Sequence, residues 1–133
     1  MALPEITNTN ISSFFDKETI VRETAEQIMK DFAMFGVTIT FSGNISGAYT
    51  ELLEQLVNQV DSLMYSNSQK LMSVLYQIDI SKRELEKTNI DLPHLNETEL
   101  ISHQIIVREL KKVLTRHYFK TQASQINFKE IKN

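Results

Sequence analysis

The sequence predicts a mainly α-helical single domain over residues 1–133, with four longer helices, one short helix and one short β element around Val37–Phe41. Three observations predict it. Apolar residues recur at 3-4 spacing through four separate stretches, the period of a helix with one buried face. Ser-x-x-Glu/Gln and Asn-x-x-Glu patterns stand at the starts of three of these segments, where a side chain and a backbone N–H can satisfy each other reciprocally. The third observation is the alternation in Val37-Thr38-Ile39-Thr40-Phe41, the one strong strand signal in the chain.

Residues 1–15 are polar and read as a loose terminus, with Phe14 and Phe15 docking as the chain enters the first helix. Asp16 is the expected N-cap of a helix from about Lys17 to Phe35. Val21, Ala25, Ile28, Phe32 and Phe35 form its stripe, and Gly36 stands where helices prefer to stop. The strand candidate follows. It needs a partner for its backbone groups, either the alternating tail Gln125–Lys129 or the same strand of a second subunit.

Ser42–Gly47 is a turn-rich loop. A second helix is predicted over about Ala48–Tyr65 and a third over about Asn67–Asp79, opened by a Ser66/Gln69 capping box. So short a connection favours an antiparallel hairpin. Ser81/Glu84 opens the short charged helix KRELEKT, and Asn89–Leu95 is a loop containing Pro93.

The long helix, about Asn96–Lys120, starts at an Asn96/Glu99 box. Leu100, Ile106, Val107, Leu110, Val113, Leu114 and Tyr118 fall on one face, Arg108, Lys111, Lys112 and Arg116 on the other. Ile101, Ile105 and Phe119 form a second apolar patch beside the basic residues. A helix apolar on two sides is central in its domain or lies at a subunit contact, so Ile101, Ile105 and Phe119 are the candidate interface. Residues 121–133 read as a loose polar tail.

With no Cys, a disulfide framework, a Cys-ligated metal and a thiol nucleophile are all excluded. No apolar run approaches membrane-spanning length and the first residues carry no secretory pattern; the expectation is a cytoplasmic protein. The net charge of −3 hides an asymmetry: residues 1–102 carry 7 Lys and Arg against 15 Asp and Glu, a net of −8. Residues 103–133 carry 7 against 2, a net of +5. Such a division points to a nucleic-acid patch or to a basic helix lying on acidic ones.

Chemistry-bearing patterns are sparse. Strand, glycine turn and helix start at Gly43–Gly47 could form a nest for an anion, but the spacing fails both the phosphate-loop and the nucleophile-elbow patterns. His103 and His117 stand about 21 Å apart along one helix and cannot share a metal. Glu99 and His103 make one partial ligand pair, short of a bundle metal site. Glu23/Glu26, Glu51/Glu54 and Glu84/Glu86 read as solvated helix faces, and Tyr76 and Asp79 as a structural network with Arg83 or Arg108. No catalytic, cofactor-binding or metal-ligating residue is assigned. The functional expectation is a non-catalytic interaction or scaffold module that homodimerises. The alternative is a nucleic-acid or acidic-partner binder using Arg108, Lys111, Lys112 and Arg116. An enzyme with an anion site at Gly43–Gly47 is the least supported.

Overall fold

The computed structural model describes residues 5–132, with side chains as far as Lys120 except that of Ser12. A 3-10 turn at Ile11–Ser13 leads into five helices: α1 (Glu18–Ala33), α2 (Ala48–Ser66), α3 (Ser68–Ile78), α4 (Lys82–Asp91) and α5 (Glu97–Lys132). The chain is therefore a helical bundle, and α5 is its centre, packing against each of the other four helices. No helix among the described residues is long and apolar enough to cross a membrane.

Local chemistry sets most boundaries. At α5 both halves of the capping box form: Glu99 N donates to Asn96 Oδ1 at 2.9 Å and Asn96 N to Glu99 Oε1 at 3.0 Å. Ser81 caps α4 by accepting from Glu84 N at 3.1 Å. Two expected caps move. Asp16 does not cap α1, whose N-cap is Lys17, and α3 is capped by Asn67, which accepts from Lys70 N, rather than by Ser66. In each case the chain turns one residue later than the pattern suggested.

α1 ends as expected at Gly36. Val37 N donates to Phe32 O and Gly36 N to Ala33 O, both at 3.0 Å, with Gly36 at φ +73°. This is the helix-ending motif that needs a left-handed residue. The same motif ends α3, where Ile80 N reaches Leu75 O and Asp79 N reaches Tyr76 O, but the left-handed residue is Asp79 (φ 70°). Its carboxylate holds Arg108 at 2.7 Å, while Tyr76 stays exposed and outside that pair.

The β element is a correction. Val37–Phe41 is extended, but no strand forms among the described residues, and residues 125–129 continue α5 rather than pairing with it. The partner is a side chain. The Gln55 amide on α2 accepts from Thr40 N at 2.8 Å and donates to Thr40 O at 2.7 Å, as a neighbouring strand would. Glu51 accepts from Ser42 N at 2.8 Å. The alternation was a true sign of extended chain; the ladder it implied is supplied by α2.

The N-terminal segment packs on the bundle. Ile6, Ile11 and Phe15 are buried and Phe14 is half-buried. Asn8 Nδ2 donates to Thr88 Oγ1 and Asp91 Oδ2 of α4.

Candidate functional site

The basic face of α5 is largely engaged within the chain. Arg108 pairs with Asp79, Lys112 Nζ lies 3.1 Å from Glu109 Oε1, and Arg116 Nη1 donates to Gln27 Oε1 at 2.9 Å. Lys111 is half-buried. Ile101 and Ile105, read as a candidate contact, are 6% and 0% exposed and belong to the chain's own core, as a central helix requires. Phe119 is exposed.

The Gly43–Gly47 loop keeps the left-handed glycine that a nest needs, Gly43 at φ +93°. Part of its donor set, however, is spent on the chain itself. Ser42 N and Oγ donate to the two Glu51 carboxylate oxygens, Asn44 N to Ser42 Oγ, and Gly47 N to Asn44 Oδ1. The anion at this turn is Glu51. Beside the loop is an open, mainly apolar pocket of ≈ 810 Å³ between Ile11, Phe15, Ile45 and Tyr49.

Tyr49 ties that wall to the core. Its hydroxyl lies 2.6 Å from His103 Nδ1, with the rings edge to face. His103 is 4% exposed. Burial lowers its pKa below the usual range, against a smaller opposing effect from the Asn8 backbone. Burial raises that of Tyr49, helped by the negative charge of Glu99. A neutral imidazole accepting from a neutral phenol is the arrangement both shifts describe. Glu99 Oε1 accepts from Asn96 N in the helix cap. No cluster of three or more metal-binding side chains occurs among the described residues.

Sequence reasoning missed the most unusual group. Glu109 is 0% exposed and Asp31, facing it from α1, is 4% exposed. Glu109 is pushed up to about 8 by burial first, then by Asp31 as hydrogen-bond partner and negative charge, with Lys112 opposing. Asp31 Oδ1 accepts from Gln27 Nε2 at 3.0 Å. Asp31 Oδ2 and both Glu109 oxygens find no donor among the described residues; Lys112 Nζ is near but off the hydrogen-bonding direction. Toward the surface the α1–α5 seam continues polar, through Gln27–Arg116 and Glu23–His117. A signal existed: Glu109 stands four residues after Ile105, three after Ile106 and four before Val113, an apolar position holding a carboxyl.

On the far side, Phe35, Met72, Tyr76, Ile80 and Leu85 line a groove of ≈ 650 Å³ along α3 and α4. Met72 is 65% and Tyr76 88% exposed. The exposed positions of α3 are Ser68, Gln69, Met72, Ser73, Tyr76 and Gln77, none of them charged. Every other helix carries charge at its exposed positions among the described residues. Comparison with protein-family models, with curated proteins and with solved structures finds no match to this chain.

Proposed function

We propose that this chain is a non-catalytic interaction module that pairs with a second copy of itself through the exposed face of α3. The observation that carries the reading is that face: uncharged, with Met72 and Tyr76 projecting beside an apolar groove. Interface cores are enriched in Met and Tyr and depleted of charge. A two-fold contact sets the face against its own copy, residue i meeting j and j meeting i. Lys82 is the charged residue of the groove lining, while the exposed positions of α3 bring no like charge against their copy. The proposed contact thus shifts from Ile101 and Ile105, which the chain buries itself, to α3. Nucleic-acid contact through α5 has less behind it, because Arg108, Lys112 and Arg116 already have partners in the chain.

Light scattering coupled to size exclusion at micromolar concentration tests the reading. The expected mass is twice the 15.4 kDa of one chain. Met72→Glu with Tyr76→Glu returns it to one chain without loss of helical circular dichroism, since both side chains are exposed. A wild-type mass of one chain, or a double variant that stays paired, refutes the α3 contact.

A further inference from the structure

The α1–α5 seam buries two carboxyls, Asp31 and Glu109, and sets the partly exposed ammonium of Lys112 beside Glu109. Asp31 and Glu109 together bring two negative charges if both ionise, and Lys112 supplies one positive. One charge is left over, and an uncompensated buried charge is costly. Three carboxyl oxygens also lack a donor. A single proton removes the excess charge and joins two of the three oxygens, one as donor and one as acceptor; Lys112 Nζ lies 3.1 Å from Glu109 Oε1.

We propose that the native chain holds one proton shared between Asp31 and Glu109, and that this proton is a latch fastening α1 to α5. Release of the proton leaves two carboxylates facing each other across the seam, and α1 loosens from α5. The charged groups acting on Glu109 are Asp31 from α1 and Lys112 from its own helix. Arg108 is turned to Asp79 at the end of α3. On α4, Glu84 faces Gln104, whose Oε1 is taken by Thr88. The buried positions of α2 are Ala48, Leu52, Leu56, Val60 and Leu63, all apolar. No further charge from these elements reaches the pair to replace the proton.

A metal ion fits the seam less well. A divalent cation added to Asp31, Glu109 and Lys112 would turn the deficit into an excess of positive charge. The His117–Glu23 and Arg116–Gln27 pairs lie farther out along the seam.

The sign follows from linkage. The Glu109 proton is held in the fold up to about 8 against an ordinary 4.5. Its contribution is fully present below the unfolded value and is lost as pH rises toward the folded one. Urea unfolding of wild type and Glu109→Gln from about pH 5 to about pH 9 reads this out. The wild-type unfolding constant rises, relative to the variant, by up to about tenfold per pH unit between pH ~5 and ~8. Parallel profiles overturn the proposal. Carbon-13 NMR of the wild-type carboxyl carbons gives an answer that needs no variant. A Glu109 midpoint near 8 supports the latch, and a midpoint in the ordinary carboxyl range refutes it. If millimolar calcium or magnesium chloride abolishes the wild-type slope, the seam binds a metal ion and the proton latch is wrong.

Discussion

α5 meets α1 and α2 through seams of opposite chemistry. Against α2 it buries aliphatic side chains, with Leu52, Leu56 and Val60 at 0% exposure, and places one polar pair, Tyr49–His103, near one end. Against α1 it runs a polar ladder from Glu23–His117 at the surface through Gln27–Arg116 to Asp31–Glu109 in the core. The α2 seam is held by area removed from water, which no titration changes. α1 buries Val21, Ala25, Ile28 and Phe32 as well, and the proton proposed for Asp31 and Glu109 makes part of the α1 seam depend on pH. The difference separates what builds this fold from what can adjust it.

The two seams should respond to pH with opposite sign. The Glu109 term in the α1 seam weakens as pH rises, by up to about 5 kcal/mol if the whole shift is realised. In the α2 seam the lowered His103 pKa means that the unfolded chain takes up a proton before the fold does. That seam therefore weakens as pH falls below the ordinary histidine value. Stability of the wild type is expected to peak between the two, and calorimetry across pH would show a flat profile if neither group titrates this way.

The largest expected effect of a substitution is at Leu56. Leu56→Ala removes a fully buried side chain from the α2 seam and should cost about 3 kcal/mol, equal at acid and alkaline pH. A cost that varied with pH would blur the contrast. Tyr49→Phe comes next. It leaves His103 Nδ1 without its donor inside the bundle, for a loss of about 1–3 kcal/mol by urea unfolding. Arg116→Ala is the smallest. It breaks an exposed bond to Gln27, the middle rung of the α1 ladder, and should cost under about 0.5 kcal/mol by the same measurement. A loss rivalling that at Tyr49 would mean that the outer rungs support the buried pair.

What was legible in the sequence was whatever depends on neighbours along the chain. The α1 stripe, the stop at Gly36, the Asn96/Glu99 box and the cap at Ser81 all rest on contacts within a few residues, and all are present. The strand at Val37–Phe41 failed for the opposite reason. Its extended backbone is local, but its partner is the side chain of Gln55, fifteen residues away, and no alternation pattern can announce an amide. Asp79 ends α3 in the same way that Gly36 ends α1, yet a non-glycine carries no stop signal; its pairing with Arg108 across 29 residues accompanies the unusual choice. Glu109 stood out only by its place among Ile105, Ile106 and Val113, and Asp31 was illegible because a carboxyl in a helix reads as solvated unless the opposite helix is known. Ile101 and Ile105 could mark the centre of a bundle or a subunit contact by pattern alone; only the packing of four helices around α5 places them at the centre.

Gln55 has one further consequence. Val37–Phe41 is short, β-branched, uncharged and free of Pro, the composition of segments that stack into fibrils when their backbone edges are open. Native proteins guard such edges with charge, proline or a covering element. Here one amide side chain occupies the donor and acceptor of Thr40 together, and the Thr40 hydroxyl reaches the same Gln55 oxygen at 3.1 Å. Gln55 thus closes the backbone edge at Thr40 to any other strand while α2 is folded beside it.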